Sequence, residues 1–331
     1  MGVDRAGSMQ AKGWTPYNRA MNDYTTRLHA AMQAKGTAAL VGLDPREESL
    51  PEEFTALLKD AAGDRFQRRA HAYEAFSRRV IDVVAPFVAA VKPQVAFFED
   101  CGPAGMLAVQ RVMRHARDAG LLVIADAKRG DIGSTAEAYA SAWLAGSDPD
   151  AAPYPADALT ISPYLGADTL TPFVDAATGR GAGIYVLVRT SNPGSGSFQS
   201  LVTGDDSRSV CHVVAAEVER LAQSTRGSGA YGSVGAVVGA THPEELQFLR
   251  EVMPATPFLV PGYGAQGGAA KDIRPAFDAA GLGALVNSSR NVIFAHKRAE
   301  YRDIAASGWE AAVEAAARDF ASEFPVTAAG A

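Results

Sequence analysis

Acidic and basic residues alternate directly after an apolar run near the middle of the chain. The run Leu121–Ala125 is followed by Asp126, Lys128 and Asp131. Side chains two residues apart in a strand point to the same side, so we expect Asp126 and Lys128 to share one side. A lysine buried there must be paired, because an isolated buried charge is too costly. The pattern has two interpretations: an ordinary interior ion pair, or the charged centre of an active site.

Two further charged residues belong to apolar runs earlier in the chain. Asp44 follows the first such run, and Lys92 lies within the second. Taken alone, Asp44 is typical of a turn or helix cap and Lys92 of a surface position. Together with Asp126 and Lys128 they predict an alternating array of carboxylates and amines over adjacent strands.

Glycines near the carboxyl end of the chain predict a phosphate site. The run Pro261–Gly268 contains four glycines, and Ser289 and Arg290 follow the last apolar run. Glycines let backbone N–H groups approach an anion, and an arginine can add two parallel hydrogen bonds. A glycine-rich turn alone is more often only a tight turn. Barrels, however, commonly bind phosphate after their seventh and eighth strands, which is where these segments fall.

Eight apolar runs separated by helical patterns predict the elements that position these residues. Continuous rather than alternating apolar strands indicate a parallel sheet covered by helices, and eight of them favour a single (β/α)₈ TIM barrel, with strand ends converging on one mouth. The first run lacks the Gly-x-Gly-x-x-Gly of a dinucleotide-binding fold. The predicted strands are Ala38–Asp44, Ala90–Phe98, Leu121–Ala127, Ala158–Pro163, Gly183–Thr190, Val234–Ala240, Pro257–Pro261 and Ala284–Ser288.

The predicted helices and loops complete this organisation. The helices are expected over Gln67–Val84, Met106–Ala119, Thr135–Ala145, Val210–Ala222, Pro243–Val252 and Ala269–Ala279. Two long loops are expected at Gly146–Asp157 and Asn192–Asp206, and the second follows a strand end, where barrel lids usually lie. We assign 1–16 to an N-terminal extension or tag remnant, 17–325 to the barrel domain and 326–331 to a C-terminal tail.

Composition narrows the classes of partner. The chain has 331 residues, 47% of them hydrophobic and 21% charged, and a formal net charge of −6. This balance argues against a nucleic-acid or membrane binder, because such a partner needs a clustered basic surface. The two cysteines are far apart, the six histidines show no metal-ligand spacing, and no secretory leader is evident, so we expect a cytoplasmic protein without a bound metal.

The segment Asp126–Thr135, which reads DAKRGDIGST, resembles the D-x-K-x-x-D signature of the orotidine 5′-phosphate decarboxylase family, in its bacterial second subgroup. The resemblance extends from about Ala38 to Ile293. It implies a cofactor-free barrel that decarboxylates orotidine 5′-monophosphate in pyrimidine biosynthesis, as a homodimer with shared active sites. The other matching segments are Gly42–Pro45, Lys92–Gln94, Thr190–Gly194, Pro261–Gly268 and Ser289–Arg290.

The resemblance also implies roles for individual residues. Lys128 is expected to protonate C6 of the pyrimidine after CO₂ leaves, flanked by Asp126 and by Asp131 of the partner subunit. Asp44 and Lys92 are expected to hold ribose hydroxyls and complete the charge network. The remaining implied contacts are Thr135 and Ile132 of the partner subunit around ribose and base, Ser191 at the pyrimidine edge, and Gln266, Gly267 and Arg290 at the phosphate.

Three alternatives remain at this stage. A sugar-phosphate decarboxylase of the same superfamily would share the acidic and basic strand but use a metal. A Schiff-base aldolase could use Lys128 or Lys92, although it needs a neutral amine and these lie among carboxylates. A barrel that only binds a phosphorylated ligand would release no CO₂.

Overall fold

Eight parallel strands close into a barrel in the computed structural model, which describes residues 23–59, 63–204, 207–239, 243–263 and 270–327. The strands are β1 (Ala39–Leu43), β2 (Ala90–Pro93), β3 (Leu122–Arg129), β4 (Ala158–Ile161), β5 (Gly183–Arg189), β6 (Val234–Val238), β7 (Phe258–Val260) and β8 (Ala284–Ser288). Neighbouring strands pair in the order β1-β8-β7-β6-β5-β4-β3-β2. The predicted barrel and its eight strands are confirmed.

Helices alternate with the strands, and the longer helices bury one face. In α3 the buried side chains include Phe76, Val80 and Val84, spaced as one face of a helix. The α-helices are α1 (Tyr24–Lys35), α2 (Glu52–Leu57), α3 (Arg65–Val84), α4 (Val95–Glu99), α5 (Gly102–Asp118), α6 (Gly133–Trp143), α7 (Thr171–Arg180), α8 (Gly196–Gln199), α9 (Val210–Ser224), α10 (Pro243–Val252), α11 (Ala270–Ile273), α12 (Arg290–Ile293), α13 (Arg302–Ala305) and α14 (Trp309–Ser322). None of these helices is long and apolar enough to cross a membrane.

Two predicted elements are wrong in extent. The strand expected over Ala90–Phe98 ends at Pro93, because proline has no N–H for the ladder, and the apolar residues beyond it form α4. Val95 and Phe98, three residues apart, are the buried face of that helix. The helix expected over Ala269–Ala279 is α-helical only in α11 and continues as a 3₁₀ turn that contains Pro275.

The first helix, α1, was not predicted and packs at the amino-terminal ends of β4 and β5. Tyr24 is fully buried, and its hydroxyl lies 2.9 Å from that of Tyr185. Gly183 makes room for this ring, since a Cβ there would lie 2.3 Å from it. Arg27 donates to the buried carboxylate of Asp157 at 2.5 Å, just before β4. These contacts attach α1 to the barrel on the side away from the strand ends that carry the charged residues.

The two predicted loops differ in structure. Gly146–Asp157 has no regular element apart from an isolated bridge between Leu144 and Ala156. The expected lid contains α8 and the short strand Val202–Thr203, which pairs with Arg208–Ser209 just after the lid. The last two residues of the expected lid, the extension 1–16 and part of the tail lie outside the described residues, so the domain bounds stay predictions.

Candidate active site

β3 departs from regular strand geometry where its charged residues begin. Its register with β4 shifts between Ala125 and Arg129. Lys128, within this bulge, has a φ of 48°, in the left-handed region that a lysine rarely adopts. The regular alternation that we expected for Asp126 and Lys128 therefore does not hold. The bulge nevertheless brings the Lys128 ammonium to 2.5 Å from Asp126 Oδ1, so the two side chains meet as predicted.

Asp126 is the centre of the array and accepts four side-chain hydrogen bonds. Lys92 Nζ and Gln94 Nε2 donate to Oδ2 at 2.6 and 2.9 Å. Lys128 Nζ and Thr160 Oγ1 donate to Oδ1 at 2.5 and 3.0 Å. Three adjacent strands, β2, β3 and β4, and the residue after β2 thus contribute to one carboxylate. Its orientation is fixed by donors on both oxygens.

The charges in this array stabilise one another. Burial alone would raise the pKa of Asp126, but the ammonium groups of Lys92 and Lys128 hold this pKa well below its usual range. Burial opposes the charged form of Lys92, yet the carboxylates of Asp126 and Asp44 raise the pKa of Lys92 above its ordinary value. Asp126 and Lys92 are therefore ionised together at neutral pH.

The two lysines occupy different environments. The Lys92 side chain is 5% exposed, whereas that of Lys128 is 47% exposed. The sequence led us to expect a buried lysine at position 128, and this is wrong: the buried amine is Lys92. The bulge lifts Lys128 toward the mouth of the barrel, where its ammonium is accessible to a ligand while still bound to Asp126.

Two buried acceptors near the array have no partner among the described residues. Asp44 Oδ1, after β1, and Asn287 Oδ1, in β8, are both inaccessible to solvent and accept no hydrogen bond. Asn287 Nδ2 is engaged, because it donates to Ser289 Oγ at 3.2 Å. Buried polar atoms are normally hydrogen-bonded, so unpaired acceptors on neighbouring strands indicate a place where ligand donors bind.

The residues that follow β3 lie at the surface. Oδ1 of Asp131 accepts from the backbone N–H of Ile132 at 2.8 Å, and no ion pair of Asp131 is found within the described part of the chain. Ile132 is 62% exposed, and Thr135, in the first turn of α6, is exposed as well. After β4, Tyr164 is 85% exposed. Within its own chain, Asp131 does not join the Asp126 array.

Ser191 follows β5 at the start of the lid and packs against the end of β6. A Cβ added to Gly239 would lie 3.0 Å from Ser191 Cβ, so glycine permits this close contact. The lid is attached to the residue that follows β5, because Gln199 accepts from the backbone N–H of Thr190 at 2.9 Å and donates to its hydroxyl at 2.8 Å. None of the described side-chain hydrogen bonds links Ser191 to the array.

The predicted phosphate side is described only in part. Gln266 and Gly267 lie outside the described residues. Arg290, the first residue of α12, is exposed, and its guanidinium has no ion pair in the ranges that the structure covers. Gly42 in β1 lets this segment approach, since a Cβ there would lie 2.0 Å from Ser289 Oγ. Arg290 therefore stands at the mouth as a cation available to an anion.

Among the described residues, one group of side chains could ligate a metal, and it lies away from the strands that carry the Asp126 array. The donor atoms of Cys211, His212 and Glu245 are all within 4.8 Å of one another at the starts of α9 and α10. Glu245 already binds Arg189, whose Nε is 2.8 Å from Oε2. A cation there would have to compete with this guanidinium, and none of the three residues contacts Asp126.

Sequence reasoning did not identify Gln94, Thr160 or Asn287 as site residues. Gln94 was quoted within a matching segment, and its position after a strand end was the available signal. Thr160 and Asn287 lie inside apolar runs, where a single polar residue is usually structural. Only the β3 bulge and the register of neighbouring strands bring Thr160 to Asp126, and the sequence shows neither.

Comparison with known proteins agrees with this geometry. The model of the Orotidine 5′-phosphate decarboxylase / HUMPS family matches residues 40–304. A Rhodopirellula baltica protein named orotidine 5′-phosphate decarboxylase is 52% identical over 299 residues, which cover 89% of this chain and 97% of that protein. A protein of the same name from Deinococcus radiodurans is 48% identical over 217 residues, covering 65% and 75%. The structure of Leishmania donovani OMP decarboxylase is 31% identical, with a TM-score of 0.68 and coverage of 91% and 97%.

Proposed function

Since the chain belongs to the orotidine 5′-phosphate decarboxylase / HUMPS family, we propose that Lys128 is the proton donor in the reaction that it catalyses. That reaction is the decarboxylation of orotidine 5′-monophosphate to uridine 5′-monophosphate in pyrimidine biosynthesis. The observation that carries the proposal is the accessible ammonium of Lys128, held 2.5 Å from a buried carboxylate at the mouth of the barrel.

The reaction requires a fixed positive charge near the carbon that loses CO₂. When the bond to the carboxylate breaks, its electron pair stays on C6 of the pyrimidine, with no adjacent carbonyl or cofactor to delocalise it. The Lys128 ammonium stabilises this charge and then transfers a proton to C6, and water restores the proton on nitrogen. Asp126 accepts a hydrogen bond from the Lys128 ammonium at 2.5 Å and so holds it in place.

Electrostatic stabilisation by one ammonium does not account for a whole enzymatic rate. Enzymes lower barriers by roughly 8–23 kcal/mol, and a single ion pair cannot supply the upper part of that range. The remainder is proposed to come from the phosphate, which takes no part in bond breaking but can drive lid closure over the site. Arg290, Gln266 and Gly267 are the residues proposed to hold it.

The unpaired acceptors support proposed ribose contacts. Asp44 Oδ1 is buried without a donor, and a ribose hydroxyl would satisfy it. Lys92, whose charged form is favoured by Asp126 and Asp44, is proposed to complete the charge network and to donate to a second hydroxyl. Ser191 is proposed to contact the pyrimidine edge. Its position between the end of β5 and Gly239 supports this, because both strand ends face the mouth.

The active site is proposed to be shared between two subunits. Asp131 is free of ion pairs within the described chain and follows the same strand as Lys128. Large apolar side chains are exposed beside it, with Ile132 at 62%, Tyr164 at 85% and Leu165 at 51%. Exposed apolar clusters of this kind mark interaction surfaces. A second copy that covers them would bring its Asp131, Ile132 and Thr135 to the mouth.

The state of the lysines argues against a Schiff-base aldolase. Such an enzyme needs an unprotonated amine. The pKa of Lys92 is raised by its carboxylate neighbours, which favours the protonated form, and Lys128 is bound to the same carboxylate.

The decisive assay follows the loss of orotidine monophosphate absorbance with and without a chelator. We expect the wild-type chain to release CO₂ at the same rate in both, whereas a metal-dependent sugar-phosphate enzyme would leave this substrate unchanged or lose activity with the chelator. Lys128→Met should abolish turnover, and the exposed Lys59→Met should not. An active Lys128→Met protein would contradict the proton-donor role.

A further inference from the structure

We propose that Thr160 is a positioning residue for proton transfer from Lys128, an inference that rests on the proposed function. Thr160 lies in β4 and is 1% exposed. Its hydroxyl donates to Asp126 Oδ1 at 3.0 Å and accepts from the backbone N–H of Lys128 at 3.0 Å. One oxygen atom therefore contacts both members of the catalytic ion pair.

The position of Thr160 opposite the β3 bulge explains why these bonds are needed. The flanking residues of β4, Leu159 and Ile161, pair with Ala125 and Arg129 on either side of the bulge. Between these pairs the register of β3 with β4 shifts, and the Lys128 N–H donates to the Thr160 side chain instead of a β4 carbonyl. Backbone N–H groups in folded proteins are nearly always paired, and here the Thr160 hydroxyl takes the place of the strand carbonyl.

The same hydroxyl supports an unusual backbone conformation. Lys128 has a φ of 48°, and residues in this region persist only where their surroundings hold them. The bond from the Lys128 N–H to Thr160 Oγ1 is such a restraint. Because this φ decides where the Lys128 side chain leaves the strand, Thr160 controls the place from which the ammonium reaches Asp126.

Only a hydroxyl can perform both tasks at this position. It has one donor, used for Asp126, and acceptor lone pairs, used for the Lys128 N–H. The β-branch of threonine also restricts its χ1 rotamer, which fixes the oxygen between the two. Valine has nearly the same shape without the hydroxyl, and serine keeps the hydroxyl without the methyl group. These two substitutions separate the hydrogen bonds from the packing.

The test measures kcat and KM for orotidine monophosphate in Thr160→Val and Thr160→Ser. We expect Thr160→Val to lower kcat by about 10- to 100-fold, because misplacement of a reacting group by about 1 Å costs about 10²-fold. KM should change by less than about threefold, since the buried Thr160 faces the ion pair and not the ligand groups. Thr160→Ser should retain kcat within about threefold.

Thr256→Val is the matched control for the loss of a buried hydroxyl. Thr256 is fully buried and donates to Glu219 Oε2 at 2.8 Å, outside the array. We expect this variant to lose thermal stability while kcat stays at the wild-type value. If Thr160→Val does not fold, Thr160→Cys, which offers only a weak donor and acceptor, should fold and show an intermediate fall in kcat.

The possible outcomes are distinct. Wild-type kcat in Thr160→Val, or in Thr160→Cys where that variant replaces it, overturns the proposal. So does a fall in Thr160→Ser as large as that in Thr160→Val, because packing and not the hydroxyl would then matter. A fall in kcat of the same size in Thr256→Val also overturns it. A wild-type chain that releases no CO₂ from orotidine monophosphate would instead refute the proposed function.

Discussion

At the scale of residues, the candidate site is organised around one carboxylate rather than one lysine. Asp126 receives two ammonium groups, an amide and a hydroxyl, so it is anchored whether or not substrate is bound. The two lysines therefore have different roles. Lys92 is buried and binds the carboxylate from inside the barrel, whereas Lys128 binds it from the side that is accessible to solvent. The accessible amine can then meet a ligand without leaving its counter-ion.

Replacing Asp126 by Asn should weaken both activity and stability. The substitution leaves the buried Lys92 ammonium without its nearest carboxylate, and breaking a buried ion pair costs about 3–5 kcal/mol. Turnover should fall by at least about tenfold as Lys128 loses its anchor. Urea unfolding gives the stability, and Glu314→Gln is the control. Glu314 pairs with Arg318 on the surface of α14, and such exposed pairs contribute less than about 1 kcal/mol.

The stability difference between wild type and Asp126→Asn should be independent of pH between pH 5 and 7. The lowered pKa of Asp126 means that its contribution is present above the ordinary value of about 3.9 and is lost as pH falls through the folded pKa. The raised pKa of Lys92 means that its contribution is present below about 10.4 and is lost above. Urea unfolding should give a constant difference from pH 5 to 7, and a slope across that range would contradict the assigned charges. Above this range the difference should shrink, because burial lowers the pKa of Lys92 once Asp126 is absent and the variant regains stability as Lys92 loses its proton.

The sequence indicated part of this site and concealed the rest. The spacing of Asp126 and Lys128 predicted their contact, and the charged strand ends pointed to Lys92 and Asp44. Burial was assigned to the wrong lysine, because a bulge cannot be distinguished from a continuing strand in a run such as Asp126–Arg129. Thr160 was missed because its role depends on which residue of β3 it faces, and register is a property of the assembled sheet.

At the scale of elements, the helix that precedes the barrel stabilises its base. Tyr24→Ala should reduce the free energy of unfolding by about 3–5 kcal/mol, because it empties a fully buried site beside Gly183. Tyr24→Phe should cost about 1–3 kcal/mol, since Tyr185 then loses its hydroxyl partner. Thermal or urea unfolding measures both. The kcat of either variant at low temperature should equal that of wild type, and a fall in kcat would show that the base communicates with the mouth.

The lid gives a prediction about the substrate's phosphate. Orotidine, which lacks this group, should show a kcat at least about tenfold lower than orotidine monophosphate as well as weaker binding, because remote binding energy is used to close the lid. Arg290→Ala is the matched test: it should slow the reaction of the phosphorylated substrate and leave that of orotidine nearly unchanged. Equal kcat values for the two substrates in the wild-type chain would refute the coupling between phosphate and lid.

Elements were predictable from the sequence wherever hydrophobicity alone determines structure. Continuous apolar runs such as Ala39–Leu43 and Val234–Val238 are strands because both of their faces are buried. The prediction failed after Pro93. The apolar residues of α4 follow β2 directly in the sequence, and only the proline, which lacks a backbone N–H, marks the end of the strand. The helix α1 precedes the first apolar strand, and nothing in its sequence shows that Tyr24 inserts at the amino-terminal end of the barrel.

At the scale of the whole molecule, one chain presents an incomplete set of charges. Among the described residues, Lys128 has one carboxylate partner and Asp131 forms no ion pair. Lys128 lies near the end of β3 and Asp131 follows it, so a two-fold arrangement of copies about the exposed side chains of Ile132 and Tyr164 would supply each site with a second carboxylate. Under this proposal the homodimer is expected to be required for catalysis and not only for stability.

Subunit mixing tests this requirement directly. Lys128→Ala and Asp131→Ala proteins should each be nearly inactive, yet after re-equilibration of equal amounts about a quarter of all sites should be active, because half of the dimers are mixed and each contains one intact site. The control mixes Lys128→Ala with Lys92→Ala. Each site takes both of these lysines from one subunit. Every site in the mixed dimer therefore lacks one lysine, and activity should stay absent. Recovery in the control, or none in the test pair despite demonstrated subunit exchange, would contradict a shared site.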